Sequence, residues 1–307
     1  MVFRLRPIRL VFSPKAKIIF GPNAPNLFRG LLGMHLQRAS CIPQCSDSSI
    51  CEFRASCPYA QVFAPVSISG PSRFADPPRP FVLRAHHLSG LAFDAGSRFS
   101  IDLHVFDLRE TVLNNLIRAF VAMAAQGLGP TRVQAELLEV STVPHSSNLH
   151  GGQLDMHANY CQIDLLGQAL PFNNVTVNFT TPCELKGFEP SPNNSILLPF
   201  RTLFSRILSR LTSLAHFYDG LNGELSAPLR AILDSAALVR TVSQTIQPWS
   251  IDRTSRSQSR SHGVGGWIGS AVFMGDLRPY IPVLVAGGWA GVGRHTVWGN
   301  GAIKIEN

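Results

Sequence analysis

Residues 265–301 read GGWIGSAVFMGDLRPYIPVLVAGGWAGVGRHTVWGNG. This stretch predicts a strand from Trp267 to Met274, a short helix from Arg278 to Leu284 and a glycine-rich loop at 287–301. Six glycines fall within the fifteen residues of that loop, more than a turn between a helix and a strand requires. A last strand from Ala302 to Glu306 completes a strand, helix and strand in succession.

The segments before this stretch extend it into a larger unit. We predict, in chain order, strands near Tyr160–Leu166 and Val175–Thr181, helices at Ser195–Tyr218 and Ala227–Val239, and an extended segment at Val242–Trp249. The first of these helices is well marked, because its leucines recur at helical spacing while arginines occupy its other faces.

The first half of the chain predicts the ferredoxin-like order of strand, helix, strand, strand, helix and strand. The segments are Phe3–Phe12, a helix at Asn26–Ala39 with Asn26 as its N-cap, Phe81–Arg84, Arg98–Phe106, a helix from about Leu108 to Gly127, and Val133–Val143. Pro144–Gly152, rich in Ser, His and Gly, separates the halves. We therefore predict an α+β protein with two tandem ferredoxin-like domains. Residues 1–148 form the first domain, with a cysteine-bearing insertion at 41–57, and residues 149–307 form the second.

The charge of the chain indicates an anionic partner. It has 27 Lys and Arg against 19 Asp and Glu, a formal net charge of +8. All but four of the basic residues are arginines, whose planar guanidinium binds phosphate bidentately. A GC-rich coding sequence would produce the same arginine bias, so composition alone does not identify the partner. The chain shows no secretory signal and no apolar stretch long enough to span a bilayer, so we expect a cytoplasmic protein without a membrane role.

A cationic arm precedes the glycine-rich stretch at residues 265–301. Residues 253–267 contain Arg253, Arg256 and Arg260 among serines, with no acidic residue, and Gly265 and Gly266 near their end. Such a segment neutralises phosphates, and glycines allow a backbone to approach a ligand closely. A flexible loop without a function has the same composition. The glycine-rich loop adds two glycines that could cradle phosphate, two basic side chains and an aromatic ring able to stack on a base, namely Gly291, Gly293, Arg294, His295 and Trp298.

Residues 265–301 resemble the C-terminal signature of the CRISPR-associated endoribonucleases that process precursor RNA, members of the RAMP superfamily. Leu27–Cys41 resembles the first helix of that family, and Cys57–Phe63 resembles its following turn. The resemblance implies two tandem ferredoxin-like domains with an RNA groove between or across them. It also implies cleavage of CRISPR repeat RNA without a catalytic metal, in which the ribose 2′-hydroxyl attacks the adjacent phosphate and leaves a 2′,3′-cyclic phosphate.

That reaction requires a base, cations at the phosphate and an acid for the leaving oxygen. His35 is the candidate base, since relatives often carry a histidine on or near the first helix. It stands one position later than in many relatives, which rotates it by about 100° around the helix. Arg29 and Arg38 are the candidate phosphate-binding cations. At the other end of the chain, Arg294 stands where many relatives have lysine.

Four cysteines lie within seventeen residues, at Cys41, Cys45, Cys51 and Cys57. Four thiolates are able to bind Zn²⁺ tetrahedrally, but these spacings differ from the usual pair of tight knuckles. A structural zinc site, unligated thiols and an iron–sulfur cluster all remain open.

The sequence thus favours a repeat-specific endoribonuclease that binds CRISPR repeat RNA. The alternative from another class is a non-catalytic RAMP subunit that coats guide RNA together with other subunits of a CRISPR effector complex. A thiolate metal-binding module without a role in RNA binding is a further alternative.

Overall fold

The computed structural model describes residues 1–41, 50–66, 77–143, 154–156, 160–167, 169, 173–191, 193, 195–220, 224–251 and 264–306. Within these ranges no helix combines the length and the apolar character needed to cross a membrane.

The N-terminal half forms an antiparallel sheet covered by two long helices. Its elements are β1 (Val2–Pro14), the short β2 (Ile18–Ile19), α1 (Ala24–Ser40), α2 (Pro58–Val62), β3 (Phe81–Arg84), the short β4 (Ala92–Phe93), β5 (Phe99–Val105), α3 (Glu110–Gln126) and β6 (Ala135–Thr142). Strands β5 and β6 pair with opposite edges of β1, and β3 pairs with the free edge of β5. The resulting order, β3–β5–β1–β6, is that of a ferredoxin-like fold.

Helix α1 begins earlier than the sequence predicts. The side chain of Asn23 accepts a hydrogen bond of 3.3 Å from the N–H of Asn26, so the prediction of Asn26 as the N-cap is wrong. Pro25 explains the earlier start, because its fixed φ suits the first helical turn, where no N–H donor is needed.

The C-terminal half repeats the fold. Its elements are β7 (Leu154–Met156), β8 (Cys161–Asp164), β9 (Asn174–Cys183), α4 (Phe200–Tyr218), α5 (Ala227–Ser235), β10 (Arg240–Ile251), β11 (Val264–Met274), α6 (Ile281–Ala290) and β12 (Ile303–Glu306). The sheet order is β10–β11–β9–β12, again that of a ferredoxin-like fold. The expected two tandem ferredoxin-like domains are confirmed.

Helix α6 is displaced from its predicted bounds, Arg278–Leu284, and includes Gly287 and Gly288. A Cβ at Gly287 would lie 2.7 Å from the Ile207 side chain on α4. Close packing of the two helices therefore explains a glycine within this helix, where composition alone indicates a loop.

The two halves meet along β1. Strand β8 pairs with residues 2–5 of β1. The first residues of β1 therefore contact the C-terminal half of the chain. Phe3 and Leu5 pack in the hydrophobic core of the C-terminal half, while Leu10 and Phe12 pack in the core of the N-terminal half. The ends of β3 and α6 and the glycine-rich loop lie at this contact between the halves.

Candidate functional site

The glycine-rich loop folds onto the end of β9. The N–H of Arg294 donates to the carbonyl of Glu184 at 3.1 Å, and the N–H of Gly301 donates to the carbonyl of Pro182 at 2.8 Å. The N–H of Val292 donates to the carbonyl of Gly301 at 2.8 Å and ties the start of the loop to its end. These amides are used by the fold, so the loop presents mainly its side chains.

Two of its glycines have steric reasons to be glycine. Gly293 has φ 82°, and a Cβ there would lie 2.3 Å from the Glu184 carbonyl oxygen. Gly299 has φ 82°, and a Cβ there would lie 2.6 Å from the Leu83 carbonyl oxygen on β3. Any larger residue would force the loop away from one domain or the other.

A column of aromatic rings and guanidinium groups crosses between the domains. The His295 imidazole stacks on the Trp298 indole, with centroids 4.5 Å apart and planes 9° apart. The Arg29 guanidinium on α1 lies 5.1 Å from the Trp298 ring centre and 4.8 Å from that of Phe63. The Arg79 guanidinium lies 5.8 Å from the centre of the same Phe63 ring. Cation–π contacts are each worth about 0.5–2 kcal/mol, so the column connects α1 to the glycine-rich loop.

The exposed end of this column is charged. Arg294 donates to a Glu184 carboxylate oxygen at 2.7 Å, and His295 Nε2 lies 3.9 Å from the other oxygen. His295 adopts a left-handed backbone, with φ 61°, and its side chain is 35% exposed. An imidazole beside a carboxylate and a cation, open to solvent, is suited to proton transfer next to a bound anion.

Beneath the loop, three carbonyls at the C-terminal end of α6 receive side-chain hydrogen bonds. Arg84 donates to Gly288 at 3.1 Å, His104 Nδ1 lies 2.8 Å from the Trp289 oxygen, and Arg210 donates to Ala290 at 2.8 Å. The partially negative end of a helix favours such donors.

Burial and neighbouring cations lower the pKa of two histidines beneath the loop, His104 and His86. Burial, with a further contribution from Arg84, lowers the pKa of His104 to about 4. The same two causes, in the same order, lower the pKa of His86 to about 4. Neutral His104 can therefore donate from Nδ1 to the α6 carbonyl at physiological pH.

The three predicted catalytic residues do not meet at one point. Arg29 lies in the column, whereas Arg38 is exposed and donates to the Gln126 side chain at 3.0 Å. His35 is 3% exposed, and burial, followed by the charge of Arg38, lowers its pKa. The structure thus brings Arg29 to the glycine-rich loop and places His35 inside the domain.

Of the predicted RNA-binding residues, Gly291, Gly293, Arg294, His295 and Trp298 share the loop described above. Gly265 and Gly266 lie on β11 opposite Ser250 and Trp249, and a Cβ at Gly266 would lie 2.7 Å from the Cys183 oxygen. Gly266 therefore lies beside the end of β9 on which the loop rests. Arg253, Arg256 and Arg260 fall outside the described residues.

The cysteine prediction is only partly covered by the structure. Cys41, Cys51 and Cys57 lie within the described residues, and Cys45 lies outside them. Within the part of the chain that is described, no three His, Cys, Asp or Glu side chains are grouped closely enough to hold a metal ion. The four-thiolate site therefore stays a prediction.

Several residues in or beneath the site escaped sequence reasoning. Glu184 and Arg84 in the site, and Arg210 beneath it at the end of α6, are isolated charges with no motif around them, and only their contacts identify them. The sequence does contain a signal for Phe63, because this residue ends the turn, Cys57–Phe63, that resembles the family pattern.

Comparisons with known proteins agree with this architecture. A family model described as CRISPR-associated endoribonuclease Cas6 matches residues 177–303, and one described as an N-terminal domain matches residues 3–158. No curated protein sequence matches the chain.

Solved structures share the fold at low sequence identity. A "Cas6 (TTHB231) product complex" is similar over 98% of this chain and 100% of that chain, with 14% identity and a TM-score of 0.55. "Thermus thermophilus Cas6 (TTHB231)" is similar over 98% of each chain, with 12% identity and a TM-score of 0.51. A chain of a "Partial Cas6-RT-Cas1--Cas2 complex" is similar over 99% of this chain and 46% of its own length, with 11% identity and a TM-score of 0.54.

Proposed function

We propose, from the match of residues 177–303 to the family model of the CRISPR-associated endoribonuclease Cas6, that this chain is a member of that family, binds the repeat of a CRISPR transcript and cuts it into guide RNAs. The observation that carries this proposal is the column that joins His295, Trp298 and Arg29 across the two domains. It places a stacking surface, a titratable imidazole and cationic side chains in one place, which are the parts that RNA binding and phosphate transfer require.

Trp298 and Arg294 are the proposed RNA contacts within the loop. The His295 ring and the Arg29 guanidinium already contact the indole, so an unpaired base would stack on Trp298 in place of the His295 ring. Arg294 would bind a phosphate in exchange for its contact with Glu184. Arg253, Arg256 and Arg260 add phosphate contacts on the arm that precedes β11. These contacts position the strand but do not define its sequence.

The proposed reaction is an in-line attack of the ribose 2′-hydroxyl on the adjacent phosphorus. The base takes the 2′-hydroxyl proton as the new O–P bond forms. The bond to the 5′-oxygen then breaks, and that oxygen leaves with a proton from an acid. The products are a 2′,3′-cyclic phosphate and a free 5′-hydroxyl. Arginine cations stabilise the charge that develops on the phosphorane, and no metal is required.

Two histidines compete for the role of base. His35 is suggested by the family resemblance, but it is buried and would need a local opening of α1 to reach RNA. His295 is open to solvent and lies near the Glu184 carboxylate, which could orient its ring. We therefore assign the proton transfer to His295 and keep His35 as the competing assignment. Single-turnover cleavage by His295→Ala and by His35→Ala separates them: the loss should be at least about 100-fold for the first and under about 3-fold for the second.

Cleavage also separates an enzyme from a subunit that only coats RNA. Purified protein is incubated with repeat RNA in EDTA, and the ends of the products are analysed. A cyclic phosphate supports the proposal, whereas tight binding that leaves the RNA intact supports the alternative of a non-catalytic subunit of an effector complex. We further propose that the protein acts in the cytoplasm, where CRISPR transcripts are made.

A further inference from the structure

Arg84 binds both ends of the segment that carries the proposed site. It lies at the end of β3, partly buried at the contact between the domains. One terminal nitrogen donates to the Gly288 carbonyl and the other donates to the Gly299 carbonyl, each at 3.1 Å. Gly288 belongs to the last turn of α6, and Gly299 follows Trp298 directly. The two hydrogen bonds therefore bracket residues 289–298.

The neighbouring donors do not have this geometry. His104 bonds only to Trp289 and Arg210 bonds only to Ala290 in the described part of the chain, so both act on the helix end alone. The planar guanidinium fixes the directions of its two donors, whereas the donors of a lysine ammonium rotate on a flexible stem and would hold the two carbonyls in a less defined geometry.

The packing around Gly299 couples these two hydrogen bonds to the position of Trp298. The carbonyl of Leu83, one residue before Arg84, already lies close enough to Gly299 to exclude a Cβ. A shift of the loop away from β3 would carry Trp298 with it, because the two residues are adjacent in sequence. The stacked His295 ring and the Arg29 contact would move with the indole.

We propose that Arg84 is a positioning residue that holds the glycine-rich loop in the register in which Trp298 and His295 face the RNA. This inference rests on the proposed function, since it specifies how the N-terminal domain sets the geometry of that site. Arg84 does not itself touch the RNA. It acts through the two carbonyls. The Thr181 hydroxyl also donates to the Gly299 carbonyl, at 2.9 Å, so the loss of Arg84 leaves the loop bound to β9 and removes its hydrogen bonds to the N-terminal domain.

The test compares Arg84→Lys and Arg84→Met with Arg210→Met, which removes a donor from the same helix end without touching Gly299. We expect Arg84→Met and Arg210→Met to lower the melting temperature by similar amounts. At saturating repeat RNA, only the Arg84 variants should lose at least about 10-fold in single-turnover cleavage rate. Arg84→Lys should keep most of the stability and still show the loss, so it provides the test if Arg84→Met does not fold. Wild-type cleavage by Arg84→Lys, or an equal loss in Arg210→Met, would overturn the proposal.

A second readout does not depend on cleavage. In protein labelled with ¹⁵N-tryptophan, the indole N–H signal of Trp298 is assigned by its disappearance in Trp298→Phe. Arg84→Lys should shift or broaden that signal while the signal of Trp267, buried in β11, stays in place. An unchanged Trp298 signal overturns the positioning role. If wild-type protein fails to cut repeat RNA but the Trp298 signal moves as expected, the proposed function fails and the structural role of Arg84 stands.

Discussion

The guanidinium carbon of Arg29 lies 5.1 Å from the centre of the Trp298 ring. One residue belongs to the first helix of the chain, and the other belongs to the loop that precedes its last strand. Their contact makes the site a product of both domains, so disturbing either element should disturb the same activity.

Replacing Arg29 tests this connection. Arg29→Met removes the charge between Phe63 and Trp298 while keeping much of the side-chain volume. We expect single-turnover cleavage of repeat RNA to fall at least about 10-fold, equivalent to about 1.4 kcal/mol of transition-state stabilisation. Arg118→Met, at an exposed position on α3, is the matched control and should cleave like wild type. Equal rates for the two variants would remove Arg29 from the site.

Trp298 should contribute to RNA affinity through stacking. Base stacking on an aromatic side chain is worth about 1–3 kcal/mol per base, so Trp298→Ala should weaken binding of repeat RNA by about 10-fold or more. Trp298→Phe keeps a ring and should recover much of the affinity. Fluorescence anisotropy at fixed salt measures both, and the stacking account is wrong if alanine and phenylalanine bind RNA equally well.

Gly293 offers a steric test of the loop. Gly293→Ala combines a positive φ with overlap of the Glu184 carbonyl, and we expect it to cost about 1–3 kcal/mol in the free energy of unfolding. Gly30→Ala is the matched control: no atom lies within 4 Å of a Cβ there, and the site is within α1. Alanine should stabilise that helix by about 0.5–1 kcal/mol. Urea unfolding of both variants gives the comparison, and a neutral Gly293→Ala would contradict the described loop.

The neutral histidines predict a pH dependence of stability. Because folding lowers the pKa of His104 from 6.5 to about 4, the unfolded chain binds more protons between these values. The contribution of this residue to stability is thus fully present above pH 6.5 and is lost as the pH falls toward 4, by at most about 1.4 kcal/mol per pH unit. His104→Asn keeps an N–H donor for the Trp289 carbonyl but does not titrate. Urea unfolding between pH 7 and 4.5 should give a shallower slope for this variant, and identical slopes would refute the assignment.

Much of the fold was accessible from the sequence, because the apolar periodicity of each half specifies the same order of strands and helices. The leucines of α4 and the alternation along β1 are local signals and gave these elements directly. The N-cap of α1 and the bounds of α6 were missed for different reasons. The first depended on which of two nearby asparagines precedes Pro25, and the second on packing of Gly287 against Ile207, which no local pattern reveals.

The site was less predictable than the fold. Arg294, His295 and Trp298 were identified because they lie together in one glycine-rich segment. The residues that complete the site come from far along the chain, and Arg84 and Glu184 became recognisable only through their contacts with Gly299 and Arg294. The burial of His35 likewise depends on how α1 packs in the N-terminal domain, which helical spacing does not determine.

The most direct test of the central claim uses two RNAs with one preparation of wild-type protein in EDTA. One is the repeat RNA, and the other carries a single 2′-deoxy substitution at the mapped cut. The account predicts that the first is cut to a product ending in a 2′,3′-cyclic phosphate, while the second binds with similar affinity and stays intact. Cleavage of the deoxy substrate, or no cleavage of the unmodified repeat, would contradict it.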